Sequence, residues 1–169
     1  MTHSDVWTGA RTTWAAQPEH WKEIVARLSG GAWSRSLPWQ TPESVFWVGE
    51  GSSLHAAALT ARILNGGGSE SRWARPPRWE VICPASEFAV AAGRLTGARQ
   101  WFIGFSHRGK TATTVRALRE ARARGFFTVW VATQELETPP TEADLFIPAG
   151  PLEKVEPHTS ALSCAIAAS

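Results

Sequence analysis

Tyrosine is absent from this chain of 169 residues, methionine occurs once, and cysteine only twice. So few thiols exclude a disulfide scaffold as the source of stability. Cys83 (Val-Ile-Cys) and Cys164 (Leu-Ser-Cys-Ala-Ile) both lie in apolar segments and read as buried, reduced thiols, in keeping with a cytoplasmic protein. No stretch approaches the roughly 18 apolar residues of a membrane span. Met1 to Arg11 lacks an apolar core of signal-peptide length, so neither membrane insertion nor export is expected. A dominant charge is also missing: 17 Lys and Arg stand against 15 Asp and Glu, for a net +2. The basic residues are scattered or paired with acids, and no nucleic-acid footprint emerges. Neither Gly-x-x-x-x-Gly-Lys-Ser/Thr nor Gly-x-Gly-x-x-Gly occurs, so no nucleotide cofactor is implied, and no metal or other cofactor is expected.

What is present describes a folded domain. Hydrophobic residues make up 43% of the chain and charged ones 19%, within the globular range, and the length suits one core. Val45-Phe46-Trp47-Val48-Gly49 is a continuous apolar run ending in glycine, the pattern of a strand buried on both faces. Ser52 and Ser53 then lead into a run of helix formers from Leu54 to Asn65, closed by Gly66-Gly67-Gly68. The unit recurs. Trp79 to Cys83 predicts a second strand, and Ser86-Glu87-Phe88 opens an alanine-rich helix extending to Leu95. Gln100 to Phe105 is a third strand. After it Val115, Leu118 and Ala121 share one helical face while Arg116, Arg119, Glu120 and Arg122 point elsewhere, until Gly125 stops the helix. Phe126 to Ala132 and the shorter Asp144 to Pro148 complete five strands. Such alternation predicts an α/β, doubly wound parallel sheet with right-handed crossovers, a three-layer sandwich.

The ends differ from this pattern. Trp7, Trp14 and Trp21 recur at seven and would share a helical face, but Pro18 is expected to divide the segment into two short helical pieces. The second, Glu19 to Leu28, would pack on the sheet or on a partner, with core packing the leading reading. Residues 1–41 are therefore taken as a helical segment and connector, and 42–169 as the ligand-binding domain. Thr159 to Ser169 is apolar and alanine-rich, like a helix stopped in mid-course, so the chain could be the first half of a longer protein.

Ligands of an open parallel sheet gather at the carboxyl ends of its strands, where helix N-termini offer unpaired amides to anions. Two loops fit. Gly49-Glu50-Gly51-Ser52-Ser53 combines glycines, which let a ligand approach backbone, with serines that either cap the helix or donate hydroxyls to an oxyanion. Ser106-His107-Arg108-Gly109-Lys110-Thr111 places two hydroxyls, two fixed cations and an imidazole within six residues. A guanidinium grips phosphate with paired charge-assisted bonds, and hydroxyls and amides add neutral donors. The alternative for this loop is a solvated basic turn capped by Ser106 or Thr111. If both loops flank one crevice, the strand order is 2-1-3-4-5.

These residues carry a resemblance. Gly51-Ser52-Ser53-Leu54-His55-Ala56-Ala57 resembles the Gly-Thr-Ser-Tyr-His-Ala-Ala of the glucosamine-6-phosphate synthase isomerase domain, of the sugar isomerase (SIS) family. Ala85-Ser86-Glu87-Phe88 is similar to that family's second-strand exit, and Ser106 to Thr111 occupies the place of its Ser-Gln-Ser-Gly-Glu-Thr phosphate loop. Ala143-Asp144-Leu145, Ala149-Gly150-Pro151, Glu153 and Val155 resemble its segment Ala-Gly-Pro-Glu-x-x-Val-Ala-x-Thr-Lys, and Gln17-Pro18 its preceding Glu-Gln-Pro. The resemblance implies a phosphate held by Ser106, His107, Arg108, Gly109 and Thr111, a sugar end near Gly51, Ser52 and Ser53, and a further contact at Val155. Arg108 stands where the family has its second serine and Lys110 where it has glutamate, making the loop more positive; His158-Thr159 falls where Thr-Lys is expected.

The implied activity is aldose-ketose isomerisation of a sugar phosphate, which needs a base to move a proton between adjacent carbons. Glu50, His55, Glu87, His107 and His158 are the candidates, each at a strand exit or helix start, and His107, His158 and Glu87 are taken from them as the catalytic set. The other reading is a non-catalytic sensor that binds a phosphosugar and signals to a partner; a flavodoxin-like nucleotide domain shares the architecture without a matching motif. A homodimer is expected in either case, since the Trp-rich segment and the C-terminal helix carry more apolar surface than one small core covers.

Overall fold

Three of the five strands are buried from end to end or nearly so, and the reason is visible in their side chains. In the computed structural model, which describes residues 3–28, 41–65, 77–133 and 142–149, the strands are β1 (Ser44–Gly49), β2 (Trp79–Pro84), β3 (Gln100–Phe105), β4 (Phe127–Ala132) and β5 (Leu145–Pro148). They form one sheet in the order β2-β1-β3-β4-β5, and every pairing is parallel. Successive side chains of a strand point to opposite faces. Val45 and Trp47 of β1, Trp101, Ile103 and Phe105 of β3, and Val129 and Val131 of β4 therefore join one core cluster, while Phe46, Val48, Phe102 and Trp130 join a second on the other face. Apolar residues at every position are what a sheet covered on both sides requires.

Helices cover each face. On the first, α2 (Ser52–Leu64) contributes Ala56, Ala57 and Ala61, and the N-terminal helix α1 (His3–Leu28) contributes Ile24. On the second lie α3 (Phe88–Ala92) and α4 (Ala112–Ala123), with Ala117, Leu118 and Ala121 of α4 inward. The face expected from Val115, Leu118 and Ala121 thus packs on the sheet, although Val115 is only partly buried. Phe88 anchors α3: its ring meets those of Phe46, Phe102 and Phe126 edge-on at 5.6, 5.0 and 6.0 Å. Each such pair contributes about 0.5–1.5 kcal/mol beyond burial.

Two expectations need correction. Pro18 does not divide the N-terminal segment, because α1 runs through it as one helix of 26 residues. Proline removes one backbone bond, but around it Trp21 Nε1 donates to Gln17 Oε1 at 2.9 Å, and Ile24 fastens the following turn to the core. Core packing holds for Ile24, whereas Trp7 and Trp14 are 51% and 44% exposed. The helix expected to reach Leu95 begins instead as a 3-10 turn (Ala85–Glu87) and ends at Ala92, where Gly93 adopts φ +53°. The 29–40 connector, the stretch 66–76 and the C-terminal residues 150–169 lie outside the described residues.

Candidate functional site

The sheet reverses direction of winding between β1 and β3, so the helices that follow them leave on opposite faces and their N-termini flank one crevice. Register brings the exits side by side, with Gly49 opposite Pro84 and Val48 opposite Gly104.

Backbone geometry sets the first loop. A Cβ on Gly49 would lie 2.7–2.8 Å from backbone atoms of Ser53 and Leu54, so only glycine lets α2 begin so close to β1. Gly51 is the N-cap of α2 at φ 53°, ψ −126°, and makes no side-chain capping bond. The turn is closed by the backbone alone, Ser53 N donating to Glu50 O at 3.0 Å and Leu54 N to Gly51 O at 3.1 Å. The serines therefore do not cap the helix: Ser52, exposed, and Ser53, half-buried, lie inside its first turn.

The third loop is strapped to β4. Ser106 N donates to Val131 O and Thr133 N to His107 O, both at 3.0 Å, while Gly109, at φ 66°, closes the turn through its N–H to Ser106 O at 3.1 Å. Ser106 is buried, and its hydroxyl donates to Thr111 Oγ1 at 3.3 Å. Thr111 is the N-cap of α4 without a side-chain capping bond, so neither Ser106 nor Thr111 caps as the alternative reading had it. Arg108 and Lys110 are exposed and His107 half-buried. The first amides of α4 thus open beside two cations, a setting that favours an anion.

Between the loops lies the 3-10 turn carrying Glu87. Ser86 N donates to Glu50 Oε1 at 2.9 Å, joining the turn to the first loop, and α4 packs against the turn from the other side. Glu87 is exposed, and His55 is exposed on α2. Burial of Cys83 behind this turn, with repulsion from Glu87 and then Glu50, raises its thiol from the ordinary 9.0 to about 11.

The structure thus brings Gly51, Ser52, Ser53, Glu87, Ser106, His107, Arg108, Gly109 and Thr111 to one end of the sheet. Val155 and His158 lie outside the described residues, as does Cys164. Thr133, buried at the exit of β4, was not singled out from sequence. Its signal was positional only, the first residue after a strand beside the third loop. Among the described residues no group of three or more His, Cys, Asp or Glu is placed to hold a metal ion, and no helix is long and apolar enough to cross a membrane.

Neither a protein-family model nor a curated protein sequence matches the chain. Solved structures do. A Salmonella typhimurium protein provisionally named a phosphosugar isomerase is 25% identical at a TM-score of 0.57, over 89% of this chain and 42% of that one. The C-terminal domain of glucosamine-fructose-6-phosphate aminotransferase from Francisella tularensis is 16% identical at a TM-score of 0.68, over 95% and 44%. Tagatose-6-phosphate ketose/aldose isomerase from Escherichia coli is 13% identical at 0.70, over 95% and 45%. The chain spans less than half the length of each of these three structures. It has the fold of the sugar isomerase (SIS) domain, as the sequence motifs implied.

Proposed function

We propose that the chain binds a phosphorylated sugar across the exits of β1 and β3 and serves its aldose-ketose isomerisation. The observation that carries this reading is the pair of helix N-termini, behind Gly51 and Thr111, that flank the crevice without side-chain caps. At the third loop the phosphate takes hydroxyls from Ser106 and Thr111, amides at the start of α4, and the Arg108 guanidinium, with His107 beside it and Gly109 shaping the turn. Gly51, Ser52 and Ser53 face the sugar end, and Val155 belongs to the same set by resemblance. A phosphorylated ligand is supported by the charge of the third loop; a plain sugar would leave its cations unused.

Isomerisation removes the proton from the carbon next to the carbonyl, passes through an enediol, and returns a proton to the former carbonyl carbon. Glu87, His107 and His158 are the groups proposed to exchange it, and fixed donors at the helix N-termini offset the developing oxyanion. No cofactor enters such a step. We extend the proposal to a cytoplasmic homodimer, supported by the exposed indoles of Trp7 and Trp14, with 42–169 as the ligand-binding unit.

The test has two stages. A phosphosugar series is screened for thermal stabilisation of the protein, and each hit is then incubated with it in deuterated water. Stabilisation with deuterium entering at the carbon beside the carbonyl is the expected result. Stabilisation with neither deuterium exchange nor aldose-ketose interconversion would establish the sensor reading instead, and no stabilisation by any phosphosugar would overturn both.

A further inference from the structure

The bond between Glu50 and Ser86 spans 36 residues and crosses from one ligand loop to the neighbouring strand exit. The 3-10 turn it meets has Pro84 as its N-cap and no side-chain cap of its own. Its leading amides lack local partners, as at any helix start, and a carboxylate is the acceptor that forms the stronger, charge-assisted bond. Glu50 thus supplies from β1 what the turn does not supply for itself. The other end of the turn is held by Phe88, whose ring is enclosed by Phe46, Phe102 and Phe126. Glu87 lies between these two fixed points, one residue from each.

We infer that Glu50 is a positioning residue, whose carboxylate ties the first loop to the turn presenting Glu87 so that the sugar meets both in fixed relation. The inference rests on the proposed phosphosugar site. It separates two properties of one side chain. The hydrogen bond needs only an acceptor oxygen, which Gln retains, whereas repulsion of the nearby Cys83 thiolate needs the charge. Phosphate alone sits at the third loop and is indifferent to the bond.

The full chain is compared with its Glu50→Ala and Glu50→Gln variants in three measurements. Amide hydrogen exchange without ligand should be about ten-fold faster at Ser86 in Glu50→Ala and within about three-fold of the parent in Glu50→Gln, with β3 and β4 amides unchanged. Inorganic phosphate should bind all three proteins within about two-fold. A phosphosugar taken from the stabilisation screen should bind Glu50→Ala about ten-fold more weakly, with affinity restored in Glu50→Gln. Titration of Cys83 controls for charge and should move downward alike in both variants. Unchanged Ser86 exchange in Glu50→Ala, equal acceleration in both variants, or parallel loss of phosphate and phosphosugar would each overturn the positioning role. Should the parent bind no phosphosugar, the functional reading fails, and the Ser86 exchange still decides whether the strap exists.

Discussion

Replacing Gly49 by alanine adds one methyl group at the tightest point of the first loop. That Cβ would stand 2.7 Å from the carbonyl carbon of Ser53 and 2.8 Å from both Ser53 O and Leu54 N. All are backbone atoms at the start of α2, so no side-chain rotation relieves the overlap; either β1 or the helix must move. Overpacking of this kind costs about 1–3 kcal/mol. At about 2–4 °C per kcal/mol for a chain of this length, Tm should fall by about 2–12 °C. Gly51 provides the contrast, because a Cβ there meets nothing within 4 Å and the objection is φ +53° alone. Gly51→Ala and Gly51→Ser should therefore be equally destabilised, whereas Gly49→Ser should be worse than Gly49→Ala. Calorimetric melting of the four variants measures this. A Gly49→Ala protein melting with the parent would refute the close docking of α2 on β1.

Three further outcomes are expected. Asp144 accepts from Thr128 N and Thr128 Oγ1, both at 2.8 Å, and from Arg122, so Asp144→Ala should cost about 2–3 kcal/mol, read as a lower urea midpoint with unchanged m. The Cys83 thiol is raised from 9.0 to about 11, so the unfolded chain loses its proton first; the contribution is intact below pH 9 and is lost as pH rises toward 11, which Cys83→Ala should abolish in a pH series of unfolding curves. Sedimentation should show a dimer that Trp7→Lys with Trp14→Lys converts to monomer; a monomeric parent would remove the dimer from the proposal.

Where local chemistry and tertiary packing agree, the fold was legible from residues alone. The two-sided burial of Val45 to Val48 and of Trp101 to Phe105 required a covered parallel sheet, and the glycines at 49 and 109 marked turns that the backbone then adopts. The order of strands followed from asking both loops to share one crevice. Reading failed where distant contacts decide. Pro18 looked like a break because the burial of Ile24, which holds the helix beyond it to the core, is not a local propensity. The serines of the first loop looked like caps, but a glycine holds that position and leaves them inside the helix. Glu50 looked like a catalytic candidate among several; its partner, Ser86, is 36 residues away and could not be read from spacing.

The central claim is that a phosphate is gripped at the third loop, and Arg108 is the residue that tests it. It stands exposed beside the uncapped start of α4, where a guanidinium can meet a dianion together with free amides. Hydrogen bonds to charged groups contribute about 1.5–3 kcal/mol each. Titration of a phosphosugar from the stabilisation screen should therefore show Arg108→Ala weakened by about ten-fold to a few hundred-fold. Arg108→Lys should recover only part of this, because an ammonium lacks the planar fork, and the same sugar without phosphate should bind parent and variants alike. Unchanged phosphosugar affinity in Arg108→Ala would contradict the account and move the phosphate away from this turn.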